Sequence, residues 1–371
     1  MTQTLLTSDV IAKEALLVLE NELVMANLCH RDYSNEFNKV GATVTIRKPA
    51  TFEASAFSTT VAAQEIVESS VQVILDKFYD ITAHITSQEM SLDLVSFSEQ
   101  VLQPMMREHA QNVDEVIFDE IYKTVAGHTP VSSTPAIGDL ANLMAQLDIQ
   151  KCPITERRVV MHPITQAKYA ALEAILHADK RGKSLTIDEY RIGRVLGADY
   201  YMSQNVPTWA SNCNDDTLAF KGAATAGATA ATLDGGGTVG AVAAGDVFKV
   251  VGSDRGYLIV TGSTVLADAT AEIAITFTPA LDAALLDDAV VTFQEAGKVN
   301  LAFHKNAFAF VSRPLEPYIG GVNSSTQNYK GISCRVALDG DTVAKANRVS
   351  VDILFGVKTL DKELAARLCD G

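Results

Sequence analysis

Paired cysteines are the first thing this sequence lacks. Its 371 residues hold five, Cys29, Cys152, Cys213, Cys334 and Cys369. They are odd in number, widely scattered and never spaced Cys-x-x-Cys, which argues against a disulfide framework or a zinc site and suits a reducing cytoplasm. Long apolar runs are missing too. No uncharged stretch approaches the roughly 18 residues of a membrane span, and Met1 to Asp9 has no basic segment ahead of its apolar residues, so neither membrane insertion nor secretion is expected. Positive charge is scarce, with 30 Lys and Arg against 45 Asp and Glu and a formal charge of −15. Coulomb repulsion then opposes a phosphate backbone, and no basic stripe with interleaved aromatics occurs, so tight or sequence-specific DNA binding is not expected.

Catalytic signatures are equally sparse. None of the seven histidines, His30, His84, His109, His128, His162, His177 and His304, forms a His-x-x-x-His or His-Glu-x-x-His pair, and no Gly-x-Ser-x-Gly elbow is present. Arg181-Gly182-Lys183-Ser184 ends like a phosphate-binding loop, but His177 stands where the first glycine is needed, so it reads as a basic turn after a helix. Gly235-Gly236-Gly237 reads as a flexible turn. Cys29 and His30 would point about 100° apart on a helix, which favours a buried or interfacial thiol over a nucleophile. Asn323-Ser324-Ser325 has the form of a glycosylation acceptor and is discounted for want of an export signal. No catalytic residue, cofactor or metal site is expected.

What is present is a core-forming chain, 47% hydrophobic and 20% charged, long enough for two or three compact units. Ala12, Leu16, Leu19 and Leu23 make one stripe of a helix from about Ser8 to Leu28. Alternating runs Thr43 to Arg47 and from Val71 toward Ile81 bracket a long excursion with little core of its own, a ribbon that needs contacts outside itself. Leu102, Met106, Ala110, Val113, Ile117, Ile121 and Val125 predict a helix over about 100–125, roughly 40 Å long, with Asp114, Glu115, Asp119 and Glu120 on its opposite side. Pro104 belongs in its first turn or at a kink. Helix and strand signals then alternate to Pro207: a helix about Asp139 to Leu147, a strand Arg158 to Met161, a helix about Pro163 to Leu176 and a strand Ala198 to Ser203. Composition shifts near Cys213. From there to Glu295 three basic residues face eleven acidic ones, a net −8, among short β-type runs such as Asp246 to Val251 and Tyr257 to Thr261. This reads as an inserted all-β domain with a solvated acidic surface, a divalent cation on some aspartates being the alternative. Strand-like Val299 to Val311, Gly331 to Leu338 and Arg348 to Leu354 follow, then a short helix from Lys362 to Leu368.

Several stretches, in this order, resemble one family. They are Glu22-Leu-Val-Met-Ala-Asn-Leu-Cys-His-Arg-Asp-Tyr33, Val44-Thr-Ile-Arg-Lys-Pro-Ala-Thr-Phe52, Ile192-Gly-Arg-Val-Leu-Gly-Ala-Asp-Tyr200 with Asn205-Val-Pro207, Asn300-Leu-Ala-Phe-His-Lys-Asn-Ala-Phe308 and Asp352-Ile-Leu-Phe-Gly356. Together they span nearly the whole chain and resemble the tailed-bacteriophage major capsid (coat) proteins of the Hong Kong 97-type fold, in particular the Salmonella-phage type with an inserted β-barrel domain. Within the insertion, Gly245 to Val251 and Phe277 to Leu281 resemble that barrel less closely.

The resemblance implies an α+β chain divided into an N-terminal helix and arm (1–42), an extended loop with flanking strands (43–85), a peripheral domain with a long spine helix (86–135), an axial domain (136–212 and 297–345), a β-barrel-like insertion (213–296) and a C-terminal strand and helix returning to the peripheral domain (346–371). It also implies a self-assembling structural protein, not an enzyme. Copies would form the hexamers and pentamers of an icosahedral shell, first as a procapsid, with a scaffolding protein and a portal as partners and a decoration protein as an optional one. The shell would enclose double-stranded DNA in the virion after assembly in the host cytoplasm, without a lysine–asparagine crosslink. Arg47, Lys48, Phe52 and Phe57 are the candidate intersubunit contacts. An encapsulin-like bacterial compartment of the same fold, and a soluble enzyme with a β accessory domain, are the competing readings.

Overall fold

The computed structural model describes residues 8–31, 43–47, 70–86, 98–132, 134–176, 189–210, 218–235, 242–253, 255–262, 272–318, 323–341 and 346–371. The chain divides into two compact units. One comprises Met1–Glu22, His30–Ala110 and Ala309–Leu360, the other Leu23–Cys29, Gln111–Phe308 and Asp361–Gly371.

In the first unit, α1 (Ser8–Glu22) buries Ile11, Ala12, Ala15, Leu16 and Leu19. It packs on strands β17 (Asn323–Tyr329) and β18 (Ile332–Asp341). Its Asp9 carboxylate accepts hydrogen bonds from Ser325 Oγ and, at 3.1 Å, from Gln327 Nε2. The sheet runs β16 (Phe308–Ser312), β19 (Ala346–Thr359), β18, β17, and β3 (Lys77–Thr86) adds to β19 from Ala346↔Thr86 to Phe355↔Lys77. A separate two-stranded ribbon pairs β1 (Thr43–Arg47) with β2 (Ser70–Ile74).

Helix α3 (Gln103–Ile121) follows a wide turn at Ser98–Leu102, and a tight turn at Tyr122–Thr124 ends it. Its 19 residues make about 28 Å, shorter than the sequence reading, because both ends leave α geometry. Pro104 sits in the first turn, where its missing N–H costs nothing.

The second unit holds a seven-stranded sheet in the order β4 (Gly127–Pro130), β20 (Ala365–Asp370), β15 (Gly297–His304), β5 (Arg157–Met161), β7 (Ala198–Met202), β6 (Gly193–Val195), with β8 (Thr208–Trp209) also on β15. Helices α4 (Ile137–Ile149), α5 (Pro163–Ala170) and α6 (Glu173–Leu176) cover it, burying Leu140, Leu143, Leu147, Tyr169 and Ile175 with Val159, Ala302 and Leu368. The insertion is a six-stranded antiparallel sheet in the order β14 (Val291–Phe293), β11 (Val247–Val250), β12 (Gly256–Thr261), β13 (Ile273–Thr278), β10 (Ala230–Asp234), β9 (Ala219–Phe220).

The structure departs from the sequence pattern in five places. The first helix stops at Glu22 and a separate turn, α2 (Met25–Leu28), begins beyond Val24. The helix read over Pro163 to Leu176 is two, because Leu172 N–H turns back to Tyr169 O. Val299 to Val311 is two strands parted by a turn at Lys305–Ala307, where the His304 side chain accepts the Asn306 N–H. The C-terminal helix is only a turn at Lys362–Leu364; Ala365–Asp370 is instead β20, bonded to β15 on one side and β4 on the other. Finally, 297–345 does not stay together: β15 joins the sheet of β5, whereas β16, β17 and β18 join that of β19, which also parts 346–360 from 361–371.

Candidate assembly surfaces

Alternation gives the β1–β2 ribbon one apolar side, Val44 and Ile46 facing Val73 and Val71 across the pair. That side is packed on Ala309, Val311 and Leu360, with Leu75 beside them. Thr43, Thr45, Gln72 and Ile74 face outward, Ile74 being 56% exposed. Where the ribbon meets β19, Gly356 lies so close to the Ile74 carbonyl that an added Cβ would collide with backbone. The root of the arm is therefore fastened, not loose. Of the candidate contact residues, Arg47 ends β1, while Lys48, Phe52 and Phe57 lie outside the described residues.

The sequence pattern puts Asp114 on the polar side of α3, yet it is 2% exposed. Its carboxylate accepts N–H bonds from Val24 (2.8 Å), Met25 (3.1 Å) and Ala26 (3.3 Å), capping α2 and explaining why the N-terminal helix breaks there. Burial pushes its pKa up to about 6, against the three amides, which pull it down.

The insertion carries its own core. Phe248 stacks on Tyr257 (5.5 Å between centroids) and meets Phe277 edge-on (5.5 Å), with Phe220 and Phe293 beyond. It is rooted in the trunk by Arg367 of β20, fully buried, whose guanidinium donates to Gly245 O and Gln294 Oε1 at 3.3 Å. Burial lowers the Arg367 pKa to about 10. A Cβ on Gly256 would strike the Ala126 carbonyl, a second close seam at this root.

Polar side chains elsewhere serve the fold. Arg335 bridges Asp352 Oδ2 (2.8 Å from Nε), Glu316 O and the Tyr318 hydroxyl, and His109 Nε2 meets Val351 O at 2.8 Å. Cys29 is buried; Cys152, Cys334 and Cys369 are buried free thiols, and burial raises the pKa of Cys334 and Cys369 to about 12, which makes them inert. Cys29 follows α2 in extended backbone, so it and His30 are not helical neighbours. Lys180 to Ser184 and Cys213 lie outside the described residues. Among the described residues no three His, Cys, Asp or Glu side chains gather as metal ligands, and no helix is long and apolar enough to cross a membrane.

No family model and no curated protein matches the chain. Solved structures do. One from Mycobacterium phage Che8 aligns with 93% of this chain and 90% of its own length, at 15% identity and a TM-score of 0.53. The capsid structure of the cyanophage P-SCSP1u aligns with 90% of this chain and 84% of its own, at 12% identity and a TM-score of 0.50. The chain therefore has a phage capsid fold of the Hong Kong 97 type, to which a six-stranded all-β insertion is added.

Proposed function

We propose that the chain is a structural capsid protein whose copies associate as hexamers and pentamers of an icosahedral shell around packaged phage DNA, with no catalytic role. The observation that carries this reading is the end-to-end likeness to a phage capsid structure, covering 90% of this chain. The ribbon supports it. Its packed face is satisfied within the subunit, while its outward face presents Ile74, and a two-stranded ribbon is marginal without further contacts. The parts would then be an arm (1–42), an extended loop (43–85), a peripheral part (86–135, joined by 309–360), an axial part (136–212 with 297–308 and 361–371) and the insertion (213–296). A scaffolding protein and a portal would direct assembly in the host cytoplasm, and a decoration protein is an optional surface partner.

Charge shapes the mechanism. Subunits of −15 repel one another, so assembly strengthens as salt screens them, and an acidic lining does not grip the DNA that enters. Sedimentation velocity of the purified full-length chain at low and high salt tests this. Large particles favoured by salt are expected from the intact chain, and a soluble monomer at both salts from a deletion of 53–65. A chain that stays monomeric throughout would overturn the reading, and normal particles from the deletion would remove the arm from it.

A further inference from the structure

The β6–β7 hairpin is the outer edge of its sheet, and its backbone is strained where strain brings no burial. At its tip Leu196 has φ +48° and Gly197 φ +83°. Glycine takes this conformation freely, whereas a leucine is penalised in it and asparagine is the tolerated alternative. Leu196 is not buried in return, being 47% exposed. Tyr190, just before β6, repeats the pattern with φ +55° and 48% exposure, pinned by Gln166 Nε2 on its carbonyl at 2.8 Å. The two-residue loop between the paired Val195 and Ala198 dictates positive φ at both of its positions, but it does not call for a bulky apolar side chain there, and an exposed leucine at that tip points to a contact beyond the fold.

A cleft of about 490 Å³ lies beside the tip, walled by Tyr190, Ile192, Tyr200, Tyr201 and Met202. Tyr201 and Met202 are more than a third exposed. Tyr200 lines it, and the buried Tyr200 hydroxyl has no hydrogen-bond partner among the described residues. Its rim is balanced in charge, Arg191 and Arg194 against Glu189 and Asp199, in a chain of −15. That makes it a place where two acidic copies approach with little repulsion.

We propose that Leu196 of one copy seats in this cleft on the next, a head-to-tail contact whose repetition closes a ring of subunits. Such a contact buries the exposed leucine against aromatic walls. It rests on the reading that copies of this chain assemble, and it names the surfaces by which neighbours would meet.

The test is Leu196→Asn in the full chain, with Tyr201→Glu as the variant that blocks the cleft. Asparagine suits the left-handed turn, so L196N should melt at or above the wild-type temperature. It should nevertheless need roughly tenfold or more protein to half-assemble, the scale of one buried leucine side chain. Y201E should fail likewise. At a concentration where wild type assembles and neither variant does alone, an equimolar mixture, in which one variant keeps the cleft and the other the knob, should yield dimers and nothing larger in sedimentation velocity. Assembly of L196N at the wild-type concentration, or a mixture that stays monomeric, would overturn the knob-and-cleft contact while leaving the shell reading intact. A wild-type chain that never assembles would overturn both.

Discussion

The inserted β domain and the β1–β2 ribbon are both built of short antiparallel strands, but they are held together differently. Phe220, Phe248, Tyr257, Phe277 and Phe293 enclose the insertion's core from its own strands. The ribbon contributes Val44, Ile46 and Val73 and takes Ala309, Val311 and Leu360 from elsewhere in its unit. A region with its own core is stable wherever it is placed. A region that borrows its core is aimed by whatever it borrows from, and that makes the ribbon the part of the chain suited to reach a neighbour.

The largest expected effect that could break this comparison is Phe248→Ala. Loss of a fully buried aromatic ring costs about 3–5 kcal/mol. Because the core is self-contained, hydrogen exchange should show protection lost over β9 to β14 while β5, β15 and β20 keep theirs; loss spreading into those trunk strands would refute independence. Gly356→Ala comes next. A methyl forced against the Ile74 carbonyl should cost roughly 1–3 kcal/mol, loosen β1 and β2, and reduce assembly while the insertion keeps its protection.

Asp114 supplies a smaller effect with a definite sign. Its folded pKa of about 6 lies above the ordinary aspartate value of about 3.9, so between those values the folded chain binds a proton that the unfolded chain does not. Its contribution to stability is fully present below about pH 4 and is lost as pH rises through about 6. The stability of Asp114→Asn relative to wild type should therefore climb between pH 4 and 7.5 in denaturant titrations, and a flat difference would contradict the burial. The smallest effect belongs to Lys221→Met. Lys221 and Glu272 pair on the insertion's surface, both about half exposed, so the melting temperature should not move measurably.

Legibility followed range. The stripe Ala12, Leu16 and Leu19, the ribbon strands and the core-facing side of α3 were readable because each pattern repeats within a few residues. Asp114 was not. Its partners lie about ninety residues away, and in the sequence it looks like one more acid on a solvent face. Ala365–Asp370 has helical propensity, but the slot between β15 and β4 turns it into a strand and buries Arg367 completely. Asn323–Tyr329 shows no apolar alternation, since as an edge strand it presents Ser325 and Gln327 to Asp9 of α1 instead of to a core. The β6–β7 hairpin is less legible. Leucine before Gly197 could have hinted at it, yet the sign of φ and the cleft beside it exist only in the fold. Of the four arm residues singled out for contact, Arg47 alone can be placed, at the end of β1.

Cryo-electron microscopy of particles formed by the purified full-length chain tests the central claim most directly. Closed shells built of five- and six-membered rings, with one compact density per subunit for the insertion, are the predicted result. Monodisperse single chains at every salt and protein concentration would contradict it.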